Sequence, residues 1–263
     1  MSGSAWLILP TYNEAENLET VVGAARAVLA EAAADRYRIL VVDDDSPDGT
    51  GAIADRLAST HPQVEVLHRS EREGLGPAYL AGFAHALDAG AGYVFEMDSD
   101  LSHDPADLAR LLDAVRDGGA DVALGSRYVP GGGLADWGVV RRLVSRGGSS
   151  YARRVLGLGV RDLTGGFKCF RREALEGIDL PTVRSHGYAF QVELTYRAVC
   201  AGFRVVEVPI IFRDRRLGQS KMSWRIAVEA MWLVPQLRRQ ARGLGPAVTV
   251  PPAAPVTGRT DAA

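Results

Sequence analysis

Residues 92–105 read GYVFEMDSDLSHDP, and the chemistry changes abruptly inside that stretch. The apolar residues Tyr93, Val94, Phe95 and Met97 stop at Asp98-Ser99-Asp100. Residues two apart on a strand project to the same face, so Asp98 and Asp100 leave the end of a buried strand together. Two carboxylates held that close repel one another unless positive charge lies between them. A hard divalent cation answers that need, because Mg²⁺ takes one or two protein carboxylates and completes its shell with water and substrate phosphates. The rest of the chain is then expected to bring a nucleotide diphosphate to that ion.

Upstream, apolar runs and amphipathic stretches alternate. Ala5 to Leu9, Tyr37 to Val42, Val64 to His68 and, downstream, Asp121 to Gly125 read as short buried strands. Leu18, Val21, Val22, Ala25, Val28 and Leu29 recur at helical spacing. Further helices are expected at about 51–59, from Gly74 through Leu87, and from Asp104-Pro105, with Asp104 as cap and Pro105 at the first position. This alternation predicts an α/β fold with a mostly parallel, Rossmann-like sheet and helices on both faces. Polar and acidic signals collect after Leu9, Val42, Met97 and Leu124. In open α/β sheets ligands bind outside the carboxyl ends of the strands, which puts these clusters on one rim.

Other readings of the same residues fare worse. An EF-hand beginning at Asp98 needs Gly where His103 stands and Glu where Ala109 stands. The run Asp43-Asp44-Asp45-Ser46-Pro47-Asp48-Gly49 comes closer to a calcium loop but ends in Asp55 and follows a strand. Asp43 instead suits a base or ribose, while Asp45 and Asp48 suit solvated turns. A dinucleotide fingerprint belongs right after the first strand, where this chain has Pro10-Thr11-Tyr12-Asn13-Glu14. Gly74-Leu75-Gly76 opens a helix and fits either a phosphate or a plain turn. The five histidines show no ligand spacing. With 263 residues and a net charge of −2, the composition is globular and gives no basis for nucleic-acid binding. Cys169 and Cys200 are expected as reduced thiols, and neither a signal peptide nor a membrane-spanning run is visible.

After Val129 the alternation loosens. Pro130-Gly131-Gly132-Gly133 is a loop, and 139–156 reads as a helix with a basic face. Ala189 to Ala201 reads as another helix, and Phe203 to Phe212 as an extended segment kinked at Pro209. Arg213, Arg215, Arg216 and Lys221 share one loop, either solvated or a clamp for phosphates. Trp224 to Arg242 reads as a last amphipathic helix that Pro235 kinks or ends, and the Pro- and Ala-rich tail from Gly243 as disordered. The expected organisation is therefore a catalytic domain over 1–222, an amphipathic helix over 223–242 and a tail over 243–263.

Taken in order, these pieces resemble glycosyltransferase family 2, of the inverting GT-A type, and within it the polyprenyl- or dolichyl-phosphate mannose synthases. The resemblance rests on 10–14 (PTYNE), 42–50 (VDDDSPDGT), 74–79 (GLGPAY), 98–100 (DSD), 125–128 (GSRY), 164–167 (TGGF), and Arg215 with Gly218, Ser220 and Lys221. It implies that Pro10, Tyr12, Glu14, Val41 and Asp43 hold a guanosine. It implies that Asp98, Ser99 and Asp100 meet the ribose, the diphosphate and Mg²⁺ or Mn²⁺, and that Arg215 and Lys221 close over the donor phosphates. Arg127 and Arg141 would receive a lipid phosphate. Ser99 stands where Ala is commoner, and Ser102 where a Gln or Glu often aids the metal, which leaves Ser102 as the third protein ligand.

The implied reaction moves mannose from GDP-mannose to a polyprenyl phosphate, whose ionised oxygen needs no protein base; Glu193 is the residue that would serve if one were needed. The lipid acceptor implies a cytoplasmic enzyme bound peripherally to the plasma membrane, the last helix being either interfacial or packed on the core. Two alternatives stand beside it. One is transfer from UDP-glucose to the same lipid class. The other is a non-catalytic scaffold for a membrane acyltransferase or glycosyltransferase.

Overall fold

The computed structural model describes residues 3–135, 138–183, 185, 187–214 and 234–239. The expected alternation is present: β1 (Ser4–Thr11), α1 (Leu18–Ala33), β2 (Tyr37–Asp43), α2 (Thr50–Thr60), β3 (Val64–His68), α3 (Leu75–Asp88), β4 (Ala91–Glu96), α4 (Asp107–Arg116) and β5 (Val122–Ser126). Beyond it lie β6 (Gly133–Leu134), α5 (Val139–Leu156), β7 (Lys168–Arg171), α6 (Arg172–Gly177), α7 (Gly187–Cys200), β8 (Val205–Pro209) and β9 (Ile211–Phe212). Seven strands form one sheet in the order β3-β2-β1-β4-β7-β5-β8, while β6 and β9 pair separately. All neighbours in the large sheet are parallel except β7, which runs antiparallel to both β4 and β5.

Alternation along the strands splits the core in two. Ala5, Leu7 and Leu9 face α1, α2 and α4, together with Ile39, Val41, Phe95 and Leu112. Trp6 and Ile8 face the other way, toward Tyr79, Phe83, Phe170, Phe190 and the second half of α5. One difference from expectation has a local cause. Asp104 does not cap α4: its carboxylate accepts from the Ala106 N–H at 3.0 Å, closing a turn one step before the helix begins. Residues 234–239, which include Pro235, are helical. That stretch packs on the core through Val234 and Leu237, and Arg238 donates to the Val155 carbonyl at 2.7 Å. The remainder of 223–242, and the tail, lie outside the described residues. Among the described residues no helix is long and apolar enough to cross a membrane.

Candidate active site

β1 has β2 on one side and β4 on the other, so the strand order reverses at the β1/β4 seam. In such sheets the crevice at the carboxyl ends of those strands is where ligands bind. Ser99 bridges that seam, its hydroxyl donating to the Pro10 carbonyl at 2.9 Å. Asp43 stands beside Thr11 by strand register and is 4% exposed. Its carboxylate accepts from Thr11 Oγ1 at 3.3 Å and Ser46 Oγ at 2.6 Å. Tyr12 is half-buried, with the Arg72 guanidinium 3.9 Å above its ring. The Glu14 N–H donates to Thr50 Oγ1 at 2.9 Å, and its carboxylate accepts from Asn17 at 2.9 Å. Asp48 ties the two loops together by accepting from Ala15 and Thr50; burial works against its ionisation, but those hydrogen bonds outweigh it and hold the carboxyl below its ordinary range. Val41 sits elsewhere: fully buried two residues below the rim, it packs in the core, and Asp43 is the group this strand presents.

The acids occupy the end of β4. Asp98 accepts a long 3.5 Å hydrogen bond from Tyr79 on α3, and that phenol is pushed well up by burial and then by Asp98, Glu96 and Asp100. Asp100 is 3% exposed and accepts from the Ser102 N–H at 3.0 Å. Leu101 between them takes a left-handed φ of 61°, which turns the chain back on the site. The Ser102 hydroxyl is buried and has no hydrogen-bond partner among the described residues. His103 follows, 3% exposed, each ring centroid of Phe167 and Phe212 being 5.1 Å from its own. Burial pulls its pKa down to about 4, so the imidazole is neutral near pH 7.

This donor set fits a divalent cation. Two carboxylates and an orphaned buried hydroxyl are oxygen ligands of the kind Mg²⁺ or Mn²⁺ takes. Among the described residues no group of three or more His, Cys, Asp or Glu side chains is placed to hold a metal ion by itself. Water, Ser102 and substrate phosphates would therefore complete the shell, as they commonly do for Mg²⁺.

Beneath the acids lies a polar group that sequence reasoning did not anticipate. Lys168 on β7 is fully buried and pairs across the strands with Glu96 at 2.5 Å. Its ammonium also donates to Gln191 Oε1 on α7. Burial pushes the Glu96 carboxyl up and the Lys168 ammonium down, and their mutual attraction opposes both. Gly166 keeps the space above open: a Cβ there would stand 3.2 Å from Gln191 Nε2 and 3.7 Å from Asp98 Oδ2. The available signals were single charges, Glu96 and Lys168, inside otherwise apolar strands. Asp44 was also missed; it accepts from Arg69 at 2.5 Å and from the Gly74 N–H at 2.8 Å, anchoring the start of α3 to the rim.

Arg127 leaves the end of β5 on the same rim. It is 6% exposed, its guanidinium gripping Asp162 at 2.6 and 2.7 Å and Thr164 at 2.8 Å. Arg141 lies on α5. Arg215 and Lys221 lie outside the described residues, but the chain departs toward them from the site, because the Arg213 N–H donates to the Ser102 carbonyl at 3.0 Å. Glu193 is committed elsewhere: one carboxylate oxygen accepts from Ser185 and the other from Arg197 at 2.8 Å.

Comparisons with known proteins bear on the family and the fold. The family described as "Glycosyl transferase family 2" matches residues 6–179. A polyprenol monophosphomannose synthase of Mycolicibacterium smegmatis is 53% identical over 229 residues, covering 87% of this chain and 84% of that one. An undecaprenyl-phosphate mannosyltransferase of Micrococcus luteus is 48% identical over 224 residues, covering 85% and 89%. Among solved structures, a mannosyltransferase from Pyrobaculum calidifontis in complex with GDP-Man and Mn²⁺ superposes with a TM-score of 0.63 at 20% identity, covering 94% of this chain and 66% of that chain. At that identity the likeness speaks for the fold.

Proposed function

We propose that this chain, which belongs to glycosyl transferase family 2, moves mannose from GDP-mannose to a polyprenyl phosphate and releases GDP. The observation that carries the reading is the Ser99–Pro10 hydrogen bond at the β1/β4 seam, which fixes the paired acids beside the strand ends suited to a nucleotide. Relatives of 53% and 48% identity named for polyprenyl-phosphate mannosyl transfer support the donor sugar and the acceptor class. Tyr12, Glu14 and Asp43, with the Pro10 backbone, face the guanosine. Asp98 and Asp100, assisted by Ser102, hold the divalent cation. Arg215 and Lys221 close over the donor phosphates, and Arg127 with Arg141 receives the acceptor phosphate. The catalytic domain spans 1–222, and the protein works peripherally at the cytoplasmic face of the plasma membrane.

When bound, the cation neutralises charge that develops on the leaving diphosphate. The chain's own residues position and desolvate. The acceptor phosphate has a second pKa of about 6, so its oxygen is already a nucleophile near neutral pH. That oxygen forms the new bond to the anomeric carbon while the carbon–diphosphate bond breaks and GDP leaves, with inversion. No proton needs removing, which suits a site whose nearest buried glutamate on α7, Glu193, is occupied by Ser185 and Arg197. The deciding experiment is conversion of radiolabelled GDP-mannose, against UDP-glucose, into organic-extractable product with a polyprenyl phosphate acceptor and Mg²⁺ or Mn²⁺. Label entering the lipid only from UDP-glucose would overturn the donor; no transfer from either, with the fold intact, would favour a scaffold.

A further inference from the structure

The most strongly basic acid-free run in the chain lies on and after α5. Residues 137–161 contain Arg141, Arg142, Arg146, Arg153, Arg154 and Arg161 and no aspartate or glutamate, in a chain of net charge −2. The second half of α5 is docked, with Ser149, Ala152 and Leu156 buried. The first half stands away from the core: Arg142, Leu143, Val144, Arg146, Gly147 and Gly148 are exposed. Leu143 at 66% and Val144 at 50% are the most exposed large apolar side chains among the described residues.

Beside this half-helix opens a pocket of about 280 Å³ lined by Tyr128, Arg146, Ser150, Arg153 and Arg161. The acids nearest in the chain are already engaged. Asp162 holds Arg127, and Glu207 accepts from Ser126 Oγ and from the backbone N–H groups of Arg161 and Asp162. Among the described residues none of the three pocket guanidiniums forms an ion pair with a carboxylate. Three like charges around one opening repel, and an anion relieves that repulsion. Arginine forks match phosphate oxygens in particular. Exposed aliphatic side chains next to arginines are the composition of a helix that lies at a bilayer surface.

We propose that the pocket of Arg146, Arg153 and Arg161 binds the phosphate of an anionic phospholipid headgroup, with Leu143 and Val144 reaching the acyl boundary. This α5 face then seats the enzyme on an anionic bilayer, and it rests on the reading above only in that the acceptor is a membrane lipid. The pocket adjoins Tyr128, the residue after Arg127, so the seated face lies on the side where the acceptor phosphate would arrive.

The test uses the full chain and vesicles of phosphatidylcholine, alone or mixed with phosphatidylglycerol. The wild type should sediment with the mixed vesicles and be released by salt. Replacing all three arginines (Arg146→Gln, Arg153→Gln, Arg161→Gln) should weaken that partition on the order of 100-fold, each single change about fivefold. The pair Leu143→Ser and Val144→Ser should weaken it about tenfold. Thermal melts identify any misfolded triple variant, in which case the single changes carry the test. Turnover of a short-chain polyprenyl phosphate in neutral detergent should not change. Unchanged vesicle binding by the variants, or no binding by the wild type, overturns the proposal. So does a raised KM for the short acceptor in detergent, which would make the pocket the acceptor-phosphate site. Arginine-dependent vesicle binding by a protein that transfers no mannose in detergent would instead leave this proposal standing and remove the reaction.

Discussion

Glu193 separates two chemistries at a single residue. Transfer to a sugar hydroxyl wants a positioned base, whereas transfer to an ionised phosphate does not. The carboxylate is 2% exposed and satisfied by Ser185 and Arg197, which is the environment of a structural acid. Glu193→Gln should therefore lower stability by about 1–3 kcal/mol, since a charge-assisted pair is lost. Its kcat should stay within about threefold of wild type, where loss of a general base costs about 10²–10⁴. Denaturant midpoints and kcat measured on one preparation check both, and a kcat fall of the larger size with the fold intact would restore the base. Residues such as Asp98 and Asp43 were legible in the sequence because an apolar run ends at each. Ser102 came only through the family resemblance, and Gln191 was not legible at all, because its role depends on which buried atoms find partners and no spacing encodes that.

At the scale of elements, the parallel strands and their helices were readable because apolar stretches of strand length alternate with helical periodicity. The insertion of β7 between β4 and β5 was not, since strand order is set by how the segment after α5 returns and not by local pattern. That insertion has a consequence, because it sets Lys168 opposite Glu96 in the middle of the sheet, directly beneath the paired acids. Lys168→Met leaves Glu96 without its partner and should cost about 3–5 kcal/mol. Adding Glu96→Gln to that variant removes the uncompensated charge and should recover most of the loss. Urea denaturation of the single and double variants reads this directly; equal midpoints would mean that the pair does not hold β4 to β7. Gln191 loses its Lys168 anchor in both variants, so restored stability with impaired turnover would separate sheet cohesion from the shaping of the site.

For the molecule as a whole, His103 couples the site to global stability. Its ring is enclosed by Phe167 before β7 and Phe212 on β9, with Asp98 4.0 Å away, so unfolding is the way it reaches water. In the unfolded chain the imidazole titrates near 6.5, and in the folded protein burial holds it at about 4. Between those values the unfolded state binds more protons, so stability falls as pH drops from about 6.5 and levels off below about 4. The drop amounts to about 3 kcal/mol at most. Buried carboxylates also titrate toward the acid end, and for that reason the measurement is a difference. Wild type and His103→Phe, both in chelator so that no cation occupies the neighbouring acids, are unfolded in urea across pH 4 to 7. The variant lacks the imidazole, so the gap between the two curves should shift in its favour by about 3 kcal/mol over that range. Parallel curves would mean that His103 takes up its proton as readily in the folded protein as in the unfolded chain. The apolar enclosure that joins β9 to the end of β4 would then not be the environment that keeps the ring neutral.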